Sequence, residues 1–368
     1  MIHRFFYILL RSYVKLAFRI YFRRWQVFHQ NKEAEKGSII FSSNHQNAFI
    51  DPLAILMSQN KIPVFLTQAA IFSASPVLRK LFKFLFMLPI YRKRDGIKSV
   101  SKNNEILLEC QNFLLKGRHP IGIFSEGSHG LKRNIRPLQK GMVRLAFETL
   151  EQNPELDLKI VPVGLNYSSH FNFQSELLVV FGNPIEIKPY YELALKNKSE
   201  ATKLLLGVIK NRMMELVIHI PNDEQYDEIA EQWFENKNKG SNLYSNLLAD
   251  KKLIVQLTAN ETIDLKSINE KSPRDFKNLR RILFFPFWIY GYINNLIPTL
   301  FIRWFLNKYV KDPHFTSSMK FVLGTFVVPI IYAFQSVAIY FLTSNGNIAL
   351  VYFLSLPLFS LFYFRCLR

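Results

Sequence analysis

Cysteine is nearly absent: Cys110 and Cys366 are the two among 368 residues. One lies in a helix-like segment and the other near the C-terminal end, so no disulfide framework is expected, which fits a domain facing a reducing compartment. The chain also lacks a P-loop, a dinucleotide glycine fingerprint and a His-Glu-x-x-His pair, leaving nucleotide cradling and zinc hydrolysis without a basis. No zinc-finger spacing, RNP-like sequence or heptad zipper accompanies the basic segments, so nucleic acid is not an expected partner. Acidic residues are missing before Glu33, and 321–342 carries no charge. No internal repeat is evident.

What the chain has instead is positive charge and apolar bulk. The formal net charge is +19 with a pI near 9.8, and 49% of residues are hydrophobic, 34 of them Phe. Arg11, Lys15, Arg19 and Arg23 recur at every fourth position, while Phe5, Leu9, Tyr13, Leu16, Ile20 and Phe22 supply apolar flanks. That pattern predicts that 1–30 form an amphipathic helix on a membrane surface, preferably an anionic one. Carrying the stripe through hydrocarbon would cost about 2.5–3.5 kcal/mol per Lys or Arg near the centre, and Arg11 and Lys15 interrupt any signal-peptide core.

Residues 276–368 read as a membrane anchor. The run 321–342 is long enough for a hydrocarbon core of about 30 Å, 348–364 is just long enough, and 343–347 is a neutral turn between them. Lys308, Lys311 and Lys320 precede the pair and Arg365 and Arg368 follow it. The excess of positive charge on both flanks predicts a hairpin with both ends in the cytoplasm. The apolar stretch 282–302 contains Pro286, Asn294, Asn295 and Pro298, and is expected either to re-enter, bent near the two asparagines, or to span.

The chemistry concentrates in Ser42-Ser43-Asn44-His45-Gln46-Asn47-Ala48-Phe49-Ile50-Asp51-Pro52, which follows the apolar run 38–41. If Asp51 orients one nitrogen of His45, the other can take a proton from a hydroxyl, which suffices for acyl transfer to an alcohol. Residues six apart on a helix lie roughly 240° round the axis, so the two meet only across a turn. The competing reading is that Asp51, followed by Pro52, is a helix N-cap and nothing more.

Three further segments stand at related gaps: Pro89-Ile90-Tyr91-Arg92-Lys93-Arg94, Ile121-Gly122-Ile123-Phe124-Ser125-Glu126-Gly127-Ser128-His129, and Ile160-Val161-Pro162-Val163-Gly164-Leu165. Together the four resemble the blocks of the glycerolipid acyltransferase family, which acylates glycerol-3-phosphate and 1-acylglycerol-3-phosphate; the likeness covers roughly 38–190. Five residues separate His45 from Asp51 where the family pattern has four, and the third block keeps Glu126 and Gly127 but lacks the family's proline and terminal Arg. The resemblance implies His45 as general base, Asp51 as its partner, Arg92 as phosphate ligand with Arg94 a near alternative, and Asn44, Glu126 and Gly127 at the acceptor pocket. Lys132, Arg133, Arg136 or Lys140 could replace the missing cation. Glu126 could accept a substrate hydroxyl or order neighbouring cations, and N–H groups at the Gly127 turn or after Asp51 could meet an oxyanion.

Residues 31–195 alternate strand-like and helix-like segments, with strands expected at 38–43, 63–67, 87–91, 121–124, 158–165 and 177–181, and helices at 52–58, 99–115 and 140–151. This predicts an α/β layered acyltransferase domain with a mostly buried sheet, followed at 196–275 by a polar helical insert or cap. The expected activity is transfer of a fatty acyl chain from acyl-CoA or acyl carrier protein to glycerol-3-phosphate or its monoacyl form, without metal or cofactor. The expected setting is integral in a membrane, the bacterial inner membrane, with the catalytic domain on the cytoplasmic face. A lysophospholipid-remodelling acyltransferase and a non-catalytic lipid-binding membrane protein are the alternatives.

Overall fold

The computed structural model describes residues 2–31, 36–69, 72, 76–91, 101–221, 223–259 and 284–366. It divides into a unit formed by 1–11, 26–167 and 177–261 and a second formed by 12–25, 168–176 and 262–368.

The first unit is built on a mixed sheet of β1 (Arg24–His29), β2 (Ser38–Ser43), β3 (Val64–Gln68), β4 (Met87–Ile90), β5 (Ile121–Phe124), β6 (Leu158–Tyr167), β7 (Glu176–Phe181) and β8 (Ile185–Glu186). The strand order is β1-β7-β6-β2-β5-β3-β4, with β8 beside β6. Pairing is parallel from β6 through β2, β5 and β3 to β4, and antiparallel between β6 and β7. All six residues of β2 are buried, as a central parallel strand covered on both faces requires. The α/β layered architecture read from the sequence is the one the chain adopts.

The helices after α1 (Ile2–Tyr21) are α2 (Ile50–Met57), α3 (Pro76–Phe84), α4 (Asn103–Leu115), α5 (Gly141–Gln152), α6 (Lys188–Lys196), α7 (Lys198–Leu216), α8 (Tyr226–Asn236) and α9 (Leu243–Thr258). The stretch beginning at 196 is not a polar insert. Ala201, Leu205, Ile209 and Met213 recur every fourth residue along α7 and are fully buried in the same core as Ile40, Ile121, Leu145 and Ile160. The sequence hides this because Lys and Glu fill the opposite face of α7, and the average polarity masks the apolar stripe. Residues 260–275 lie outside the described ones.

The N-terminal reading is corrected on two points. Helix α1 ends at Tyr21, and Arg24–His29, expected to continue a surface helix, is strand β1, whose Trp25, Val27 and Phe28 suit a pleated surface. Arg11 is not left to face lipid. Its guanidinium donates to the carbonyls of Leu56 at 2.9 Å, Asn60 at 3.1 Å and Gln59, meeting the negative end of α2.

In the second unit, α10 (Phe285–Asn294) and α11 (Leu296–Tyr309) break at Asn295, whose amide donates to the Gly291 carbonyl at 2.7 Å and accepts from the Tyr332 hydroxyl at 2.6 Å. The expected bend therefore falls at the asparagine pair. Two further helices, α12 (Pro313–Thr343) and α13 (Gly346–Cys366), contain stretches of 31 and 20 residues long and apolar enough to cross a membrane.

Candidate active site

The parallel register sets the site. Ser43 lies beside Phe124 of β5 on one side and Val163 of β6 on the other, so the loops after β2 and β5 leave the carboxyl edge of the sheet together. That edge is where open parallel sheets bind ligands. Asn44 starts the first loop and ties it to β6: its side chain accepts from the Leu165 N–H at 2.8 Å and donates to the Leu165 carbonyl at 3.0 Å. Buried with its amide so engaged, Asn44 shapes the loop and is not available to hold substrate, which corrects the sequence reading.

The loop turns through Ala48, at φ 34°, before α2 begins at Ile50. This left-handed residue lies inside the five-residue spacer. The turn brings the His45 ring to Asp51, with Nδ1 2.7 Å from Oδ2. Asp51 is fully buried, and its remaining capacity is filled by donors: the N–H groups of Gln46 at 2.8 Å and Asn47 at 2.7 Å on Oδ2, and the Tyr167 hydroxyl at 2.6 Å on Oδ1. The carboxylate thus points back into the loop rather than forward over α2, whose cap makes no side-chain hydrogen bond. A simple N-cap role for Asp51 is overturned.

With Nδ1–H donating to Asp51, the lone pair falls on Nε2, the base-competent tautomer. The ring stacks on Phe124, with centroids 4.1 Å apart and planes at 16°, and meets the His129 ring edge-on at 5.4 Å. The 16% side-chain exposure of His45 leaves it shielded yet reachable. The Gly130 N–H donates to the His45 carbonyl at 3.0 Å, locking the two loops together.

Glu126 is buried and pairs with Arg136, its Oε2 2.6 Å from the guanidinium and its Oε1 accepting from the Arg136 N–H at 3.2 Å. Arg136 also donates to the Ser128 hydroxyl at 2.8 Å and the carbonyls of Ser128 and His129. Of the two roles read for Glu126, ordering a cation is therefore the one present; its carboxylate is not open to a substrate hydroxyl. Gly127 sits at φ 74°, where an added Cβ would come within 2.9 Å of Gln139, and its N–H is bonded to the Phe124 carbonyl at 3.0 Å. It makes the turn possible but offers no free oxyanion donor.

Among the replacement cations, Arg133 donates to the Tyr167 carbonyl at 2.8 Å and packs its guanidinium over Trp233; burial lowers its pKa to about 10. Lys132 and Lys140 are exposed, the former with its ammonium 4.4 Å above the Tyr226 ring. Arg92 and Arg94, the expected phosphate ligands, lie outside the described residues. Tyr167 is the residue the sequence reading missed. Its signal was the continuation of the strand-like run past Leu165 into Asn166 and Tyr167, with Tyr167 on the buried parity.

Comparison with known proteins bears on this arrangement. A family model described as Acyltransferase matches residues 24–166. An uncharacterized acyltransferase of Schizosaccharomyces pombe is 32% identical over 118 residues, 32% of this chain and 17% of that one. Glycerol-3-phosphate O-acyltransferase 1 of Saccharomyces cerevisiae is 35% identical over 103 residues, 27% of this chain and 13% of that protein. These matches span less than a fifth of each relative's length. The crystal structure of the 1-acyl-sn-glycerophosphate acyltransferase of Thermotoga maritima aligns over 58% of this chain and 80% of that one, at 15% identity and a TM-score of 0.40.

Proposed function

We propose that the chain, whose residues 24–166 match the acyltransferase family model, moves a fatty acyl group from an acyl-thioester to a hydroxyl of glycerol-3-phosphate or its 1-acyl form, while held in a membrane by α12 and α13. The observation that carries this reading is the His45–Asp51 pair at 2.7 Å, with Asp51 buried and held by three further donors. His45 Nε2 takes the acceptor hydroxyl's proton as the oxygen attacks the thioester carbonyl. Collapse of the tetrahedral intermediate breaks the C–S bond, and the imidazolium returns the proton to the thiolate. Asp51 holds the ring tautomer and offsets the transient positive charge. A thioester donor, acyl-CoA or acyl carrier protein, supports a reading in which the active face lies on the cytoplasmic side.

Arg92 is the proposed phosphate ligand, on the strength of its place in the second block and the bidentate grip a guanidinium offers. The test is a labelled-donor assay on the purified full chain with glycerol-3-phosphate, its monoacyl form and lysophosphatidylcholine as acceptors. Phosphate-monoester acceptors should turn over, and Arg92→Ala should raise their KM more than that of the donor. Turnover with lysophosphatidylcholine alone would replace this reading with phospholipid remodelling.

A further inference from the structure

A cavity of about 980 Å³ lies within the second unit, walled by the C-terminal half of α1 with α11, α12 and α13. Its volume falls at the top of the range of about 300–1,000 Å³ for ligand pockets. Along α12 it is lined at every fourth residue by Thr316, Lys320, Gly324, Val328 and Tyr332, a run of roughly 24 Å at about 1.5 Å per residue. One leaflet of a hydrocarbon core is about 15 Å deep, so the groove is long enough for an acyl chain.

Three features distinguish this cavity from a packing gap. Its lining is apolar except for a few groups, of which the charged ones, Arg303 and Lys320, are both cationic; among the described residues none that lines it is acidic. The Lys320 ammonium already donates to the Phe171 carbonyl at 2.7 Å, which fixes it in place. At mid-depth α12 opens into a π-turn, Leu323–Val327, the kind of helix irregularity that gathers at functional places. Gly324 lies in that turn, and a Cβ built on it meets nothing within 4 Å. An apolar slot whose charged lining, among the described residues, is positive fits an amphiphile with an anionic head.

We propose that this cavity holds an acyl chain of an anionic phospholipid, its phosphate drawn to Lys320 and Arg303. The proposal rests on α12 and α13 being membrane helices and not on the acyl-transfer chemistry.

The test uses the full chain in phosphatidylcholine nanodiscs carrying a minority of phosphatidylglycerol, followed by detergent extraction and mass spectrometry of the lipid that stays bound. Two attracting cations at a membrane surface predict an enrichment of phosphatidylglycerol of roughly tenfold or more over the input ratio. Arg303→Ala with Lys320→Ala should return the ratio to input. Gly324→Leu, which fills the slot, should reduce bound lipid of both kinds, and if that variant fails to fold the charge variant decides alone. The enrichment should persist in His45→Ala, since no turnover is involved. Retention at the input ratio by a membrane-held protein, or displacement of phosphatidylglycerol by inorganic phosphate alone, would overturn the proposal. A chain that stays in the supernatant without detergent would overturn the membrane reading itself.

Discussion

The two units treat bulky apolar side chains in opposite ways. In the first, Ile40, Ile121, Leu145 and Leu205 are fully buried around the sheet, while in the second Phe334, Phe341, Leu342 and Val351 are 67–81% exposed along α12 and α13. The difference is the one expected of a first unit in water and a second unit in the bilayer proposed for it. A unit in water hides its apolar surface, whereas helices in hydrocarbon gain nothing by doing so and pack through small or polar contacts instead. The second unit uses such contacts: Gly291 approaches the α13 backbone so closely that a Cβ would lie 2.4 Å from the Phe359 carbonyl, and Tyr290 bonds Ser355 at 2.7 Å. The first unit admits a buried charge, Asp51, because four donors replace its lost water.

Removing part of that compensation should have the largest consequence. Asp51→Asn places an amide where two backbone N–H groups and the His45 ring need an acceptor, so kcat should fall by about 10²- to 10⁴-fold in the labelled-donor assay. Activity within a few-fold of the parent would return Asp51 to a structural part. Leu205→Ala and Phe341→Ala then set the two units against each other. The first should lose about 2–5 kcal/mol by thermal or denaturant unfolding, from transfer and cavity terms together. The second, measured in detergent, should stay within about 0.5 kcal/mol of the parent, as for exposed sites generally. Equal losses would mean that α12 is a buried core helix and that the contrast between the units is false.

Tyr167→Phe is a finer probe, because it removes one hydroxyl and keeps the ring. Hydrogen bonds to charged groups are worth about 1.5–3 kcal/mol, so kcat should drop roughly tenfold or more while the donor KM holds. A change confined to stability would make Tyr167 a packing residue. The smallest effect concerns His219, whose pKa is held below the ordinary imidazole range by burial first and then by Lys210 and Lys251. It accepts from the Ile135 N–H at 3.0 Å, as a neutral ring must. A depressed base binds its proton more weakly folded than unfolded, so its stability contribution is intact above the unfolded pKa, near 6.5, and is lost as pH falls below it. His219→Gln should flatten the stability slope over that acid window, and an unchanged slope would remove His219 from the account.

Much of this was legible in sequence because strands and sites announce themselves locally. The run at 38–43 and the His45–Asp51 pairing across a turn follow from adjacent residues, and β3 to β7 fall within two residues of the segments read for them. What escaped depended on distant partners. Asn44 looks like a site residue until Leu165 takes its amide, Glu126 until Arg136 takes its carboxylate, and Arg11 like a lipid-facing cation until the end of α2 claims it. Tyr167 was missed because its hydroxyl matters only where β6 passes the loop after β2. Polar side chains have several possible partners, and only the folded chain chooses among them.

The central claim, that His45 is the base of an acyl transfer, is tested most directly by single-turnover acylation with the full-length His45→Ala protein. Its membrane retention and unfolding temperature are checked in parallel. The account predicts a loss of about 10²- to 10⁴-fold in the chemical step, the worth of a positioned base, with retention and folding unchanged. A folded, membrane-held His45→Ala protein that acylates its acceptor within about threefold of the parent rate would contradict it, because that loss lies far below the range expected for such a base.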